Sequence, residues 1–151
     1  ATFTPLPTAT ATPEPTATTV SQDNVRALLR EMYAVLSIID TQRGPLDQLN
    51  INWTSIQTDP SAGPRLCIPV APDVPPDIAL AAGFNEANPS LGFARDAING
   101  GLARLREAWT DWRTGCAAGD LPGRIAKGLQ DILVMRDAFN TARSFLDLVP
   151  Q

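Results

Sequence analysis

Prolines decide where this chain can be helical, because each one fixes φ and removes a backbone donor. Of the fourteen, four (Pro5, Pro7, Pro13, Pro15) stand in the first twenty residues and six (Pro60, Pro64, Pro69, Pro72, Pro75, Pro76) between Thr58 and Pro76. Neither stretch can hold a continuous helix or a central strand. The rest of the chain carries helical periodicity instead. The reading is an extended arm (residues 1–20) followed by a helical domain (21–151) that one long Pro-rich loop interrupts.

In the domain, Val25, Leu28, Leu29, Met32, Val35, Leu36 and Ile39 recur at i, i+3, i+4 and i+7. That spacing predicts an amphipathic helix over 22–42, capped by Ser21 or Asp23 and stopped by Gly44-Pro45. Leu46, Leu49, Trp53 and Ile56 predict a second helix, from Pro45 to about Gln57. Asp77 is placed to cap a short helix over Ile78–Ala87. Asn88-Pro89 then opens the longest helix, to about Thr114, with Ile98, Leu102, Leu105, Trp109 and Trp112 stepping 4, 3, 4, 3 along a seam. Gly115–Gly119 reads as a turn carrying Cys116. Asp120 is placed to cap a last helix, to about Leu148, with Ile125, Leu129, Ile132, Leu133, Phe139, Ala142, Leu146 and Val149 as its apolar stripe. No strand pattern and no fixed-period repeat is visible. The expected fold is all-α: a bundle of about four helices with a long Pro-rich loop pinned by a disulfide, behind an extended Thr/Pro-rich arm.

Sixteen of the first twenty residues are Thr, Pro or Ala, and Glu14 is the only charge. Such a segment cannot bury enough apolar surface to offset its ordering entropy. Run as polyproline II, it would reach roughly 60 Å at about 3.1 Å per residue. Thr beside Pro without charge is also the composition of O-glycosylated stalks, which makes Thr4, Thr8, Thr10, Thr12, Thr16, Thr18 and Thr19 candidate sugar acceptors. The stretch resembles the stalks of bacterial secreted lipoproteins and surface proteins, which implies an extracellular or cell-surface location. A chain that begins on its stalk reads as a mature form, processed upstream.

The two cysteines, Cys67 and Cys116, are too few for a metal site in a chain without histidine and too far apart for a redox motif. They are expected to form a disulfide, which fits the same oxidising compartment. That bond would also explain the long loop by holding it on the helices.

The absence of histidine removes the base of Ser-His-Asp and Cys-His catalysis and the usual zinc and haem ligand. No phosphate-binding glycine loop or EF-hand loop is present, and no cofactor is expected. Twelve basic residues against sixteen acidic ones, scattered rather than clustered, argue against nucleic acid. No apolar run approaches the ~20 residues that span a bilayer. Carboxylate pairs at Asp73/Asp77 and Glu107/Asp111 leave an acid–base site conceivable, but the first pair reads as loop and cap residues and the second as an exposed helix face. Trp53, Trp109 and Trp112 could stack a sugar but share their faces with core residues. Asn52-Trp53-Thr54 fits an N-glycosylation triplet inside a helix.

Two features remain for interaction. Ala94, Ala97, Gly101 and Ala108 form a small-residue row that can seat a helix closely, either of the same bundle or of a neighbouring copy. Phe3 and Leu6, large apolar residues in an otherwise small and polar arm, suit docking anchors. The expected function is therefore a non-enzymatic, secreted structural subunit whose arm contacts a neighbouring copy in a filament or surface layer, with glycans possible on the arm. The alternative is a stalk-tethered binding module for a glycan or protein, using the Pro-rich loop.

Overall fold

The computed structural model describes residues 10–13 and 20–151. Thr10, Ala11, Thr12 and Pro13 are exposed and take no regular secondary structure. Phe3, Leu6, Thr4, Thr8, Thr16, Thr18 and Thr19 lie outside the described residues.

Among the described residues all repetitive structure is helical: α1 (Gln22–Asp40), α2 (Pro45–Thr58), α3 (Gly63–Leu66), α4 (Phe84–Ala87), α5 (Pro89–Ala118) and α6 (Leu121–Leu146), with a 3₁₀ turn at Pro60–Ala62. Ser21 starts α1 by accepting a bond from the Asn24 amide at 3.2 Å, which satisfies one of the orphan donors of the first turn. Its buried stripe is Leu28, Leu29, Met32, Val35, Leu36 and Ile39, each worth about 1.5–3 kcal/mol when withdrawn from water. The helix ends at Asp40, short of Gln42. There Arg43 takes a left-handed φ of 62°, and its amide donates to the Asp47 carboxylate at 2.8 Å. Pro45 then occupies the first turn of α2, where its missing N–H costs nothing.

α5 and α6 form the spine, an antiparallel pair packed along most of their length. Asn88 caps α5 through a 3.2 Å bond from the Ser90 amide. Gly119, with φ 68°, closes α5 by an αL turn in which the Asp120 amide reaches the Gly115 carbonyl at 3.1 Å. The buried seam of α6 runs Leu121, Gly128, Ile132, Met135, Phe139, Ala142 and Leu146.

Five local expectations give way. The loop read from Thr58 to Pro76 is helical at its start, with the 3₁₀ turn at Pro60–Ala62 and α3 at Gly63–Leu66, because Pro60 and Pro64 fall in first turns where a missing N–H costs nothing. Ile78–Ala87 is not a helix; only Phe84–Ala87 is. Asn99 on α5 brackets Ile78, its Oδ1 accepting from the Ile78 amide at 2.8 Å and its Nδ2 donating to the Ile78 carbonyl at 2.9 Å. That pair of bonds, with Ile78 buried, holds this irregular segment against α5 and uses up the groups a helix would need. Gly115–Ala118 belongs to α5 rather than to a turn, so Cys116 sits on the last helical turn. Leu133 lies outside the α6 stripe and is 60% exposed, because it follows Ile132 by one residue and so points about 100° away. Asp120 stands at the N-cap of α6 without capping it; its carboxylate instead accepts from Arg124 Nε at 2.8 Å.

The small-residue row shows why glycine is tolerated mid-helix. A Cβ at Gly101 would lie 2.6 Å from Phe139 Cε1, whereas one at Gly100 would meet nothing within 4 Å. Gly100→Ala is therefore expected to stabilise the fold by about 0.5–1 kcal/mol. Gly101→Ala should destabilise it by about 1–2 kcal/mol, the overpacking cost exceeding the propensity gain. Urea midpoints of the two variants, moving in opposite directions, are the check.

Candidate functional site

The loop after α3 is fixed at both ends of its course. At its start, the Cys67–Cys116 disulfide ties it to the last turn of α5, with Cα atoms 5.8 Å apart. Further on, Arg106 Nη2 donates at 2.8 Å both to the Pro75 carbonyl and to the Asp77 carboxylate, just before the Asn99 bracket at Ile78. Between these anchors Ala71 and Val74 pack against the core, whereas Ile68 and Val70 stand out from it. A groove of about 630 Å³ opens between residues 67–71 and the α5 face carrying Trp109, Trp112, Arg113 and Ala117. A second hollow of about 380 Å³ shares Ala71, Trp109 and Arg113 and continues past Val74 to Arg106.

The groove is mostly apolar, and its rim is unusual. Ile68 is 81% exposed and Val70 94% exposed, although both are strongly apolar and sit on a segment held by a covalent link. The floor is made by Trp109 and Trp112, whose rings are themselves buried. Trp109 Nε1 donates to the Pro45 carbonyl at 2.9 Å, and Trp112 packs edge-on against Trp53 with centroids 4.8 Å apart. All three tryptophans thus belong to the core rather than to an exposed stacking platform. Trp53 Nε1 is buried with no hydrogen-bond acceptor among the described residues. Arg113 supplies the polar edge of the groove; among the described residues it meets no carboxylate and bonds the Thr110 hydroxyl at 3.0 Å.

The carboxylate pairs separate into different roles. Asp77 is paired with Arg106, and Asp73 is exposed. Asp111 accepts from Lys127, which also bonds Asp131 at 2.9 Å, and Asp131 takes a further 2.9 Å contact from Arg104. Glu107 reaches Arg104 only at 3.8 Å. Asp131 is 3% exposed and is the buried charge that sequence reasoning missed, since its position between Gln130 and Ile132 carries no distinguishing pattern. Its carboxylate is balanced by two cations, as a buried charge must be. The arrangement is a charge-paired clamp between α5 and α6.

Hydrogen bonds from Lys127 to Asp111 and then to Asp131 raise the lysine above its ordinary 10.5. A group whose folded value is raised stabilises fully below the unfolded value and loses that contribution as pH climbs through the folded one. Stability is therefore expected to fall on the alkaline side of 10.5, and Lys127→Gln should flatten that limb of a urea-midpoint-versus-pH profile. On the acid side, the Arg124 hydrogen bond holds Asp120 below its ordinary 3.8, and the Ser61 hydroxyl and amide do the same for Asp59. Those contributions are present above 3.8 and lost as pH falls through the lowered values.

The remaining candidates are placed as follows. Ala94, Gly101 and Ala108 are buried and Ala97 partly buried, with Gly101 facing Phe139 of α6. Asn52 is 4% exposed and its side-chain oxygen accepts from Gln48 Nε2 at 2.9 Å, so it is not available to carry a glycan. Thr10 and Thr12 are exposed. Among the described residues no group of three or more His, Cys, Asp or Glu side chains is arranged to hold a metal ion, and no helix is long and apolar enough to cross a membrane. No protein-family model, no curated protein and no solved structure matches this chain.

Proposed function

We propose that the protein is a non-enzymatic, secreted structural subunit that works at the cell surface or outside the cell and joins copies of itself through its N-terminal arm. The observation that carries this reading is the pairing of two parts. One is an arm whose composition bars it from folding alone; the other is a helical domain that holds Ile68 and Val70 out to solvent on a disulfide-tied loop. Ile68 and Val70 at the lip of the apolar groove give a partner a surface to cover. Head-to-tail contact of one arm with the next domain gives an open polymer whenever the rotation does not close. Threonine-linked glycans on the arm would keep such a connector extended and soluble.

Light scattering and negative-stain imaging of the full chain test the reading. Polymers, or a concentration-dependent mass, are expected, and removal of residues 1–20 should abolish them. Undiminished polymers from the truncated chain would show that the arm is not the connector. The groove also favours a second reading, a stalk-tethered module that binds a glycan or a protein. A monomeric full chain that retains a co-purifying ligand would select it.

A further inference from the structure

We propose that the groove between residues 67–74 and the α5 face is the seat for the arm of a neighbouring copy, and that Phe3 and Leu6 are the residues it takes. The inference rests on the arm-mediated assembly proposed above. The groove offers an extended apolar chain the exposed side chains of Ile68 and Val70 at its lip and one polar edge, Arg113, while the tryptophans beneath stay buried. Its track along α5, from Arg106 to Ala117, is roughly 16 Å at about 1.5 Å per residue. Five or six residues of polyproline II, at about 3.1 Å each, would fill it.

The arm contains one window of that length with apolar anchors, Phe3 to Thr8, in which Pro5 and Pro7 already restrict the backbone. Polyproline II repeats every three residues, so Phe3 and Leu6 would fall on one edge, about 9 Å apart. The window carries no charge; its fit to the groove is apolar and its docking should be little affected by salt. The remaining residues, 9 to 20, would span up to roughly 37 Å between the docked window and α1 if extended.

The test uses the full chain with photo-reactive benzoylphenylalanine in place of Phe3, mixed with an isotopically heavy copy before irradiation. Cross-links from position 3 are expected to land on residues 67–74 or on α5 between Arg106 and Ala117, as light–heavy pairs. The double substitution Ile68→Asp with Val70→Asp alters two exposed side chains, so its helicity should be unchanged. It should nonetheless weaken association at least about tenfold and remove those cross-links. Cross-links that land elsewhere, or only within one chain, overturn the proposal. If deletion of residues 1–20 abolishes assembly while the double variant assembles normally, the arm remains the connector but this groove is not its seat. A full chain that stays monomeric with no light–heavy pairs overturns both.

Discussion

Removing the Cys67–Cys116 disulfide, by reduction or by a paired Cys67→Ser and Cys116→Ser substitution, is expected to lower the unfolding free energy by about 4 kcal/mol. The bridge spans 49 positions, and closing a loop of that size removes a large share of the unfolded chain's freedom in the chain-entropy treatment. Domains of this size are stabilised by only about 5–15 kcal/mol in total, so the loss is a substantial fraction. A fall in the thermal midpoint of roughly 15 °C should follow. The effect should also be visible in the folded state. Without the bridge, the stretch from Cys67 to Val74 loses the hold at its start and keeps only the packing of Ala71 and Val74 on the core and, beyond them, the Arg106 and Asn99 bonds to Pro75, Asp77 and Ile78. Amide exchange at position 67, whose N–H donates to the Gly63 carbonyl at 3.0 Å, should then accelerate while that at Ile78 stays protected. An unchanged urea midpoint in the presence of reductant would mean that this packing and those polar anchors alone hold the loop.

Gly128→Ala is expected to destabilise the fold by about 2–3 kcal/mol, even though alanine is the better helix former by about 1 kcal/mol. An added Cβ would lie 2.2 Å from Trp53 Cε2 and 2.5 Å from Cδ2 and Nε1. The indole has nowhere to retreat. It is 1% exposed, and Trp112 stands edge-on against it at 86°. Either α2 shifts away from α6 or Trp53 leaves its rotamer, and both disturb a close-packed interior. Gly123→Ala on the same helix, where a Cβ meets nothing within 4 Å, is the control and should be neutral or slightly stabilising. Thermal melts with tryptophan fluorescence check both. A neutral Gly128→Ala with unaltered emission would show that Trp53 does not press on α6.

Much of the helical layout was legible because its causes are local. The stripe of α1, the Ser21 and Asn88 caps, and the prolines that open α2 and α5 all act within one or two turns, so linear spacing carries them. The tryptophans were legible for the same reason, each sharing a face with aliphatic neighbours. The misses share an opposite cause. Asp77 looks like a helix cap until Arg106, 29 positions away, claims its carboxylate. Asp120 looks like one until Arg124 does the same. Leu133 reads as core because it is apolar, but one residue of rotation about the helix axis puts it in solvent. Gly115 reads as a turn residue, yet it is small because Leu121 and Arg124 pack over it, with a Cβ there only 2.8 Å from the leucine.

The candidate site divides the same way. That Cys67 would pair with Cys116 followed from there being no other cysteine. That the pairing leaves a groove with Ile68 and Val70 at its lip did not follow, since it depends on where Arg106 and Asn99 catch the chain again. The buried charge at Asp131 is likewise invisible until Arg104 and Lys127 are brought around it.

By itself, then, the sequence determined the positions of the long helices and the one covalent cross-link, because proline, periodicity and cysteine number act locally or by count. Only the tertiary structure decided that Ile78 is not helical, which glycines a Cβ would not fit, which carboxylate is buried, and where apolar groups remain exposed. Each of those depends on a neighbour that is distant in sequence, and helical spacing does not record such neighbours.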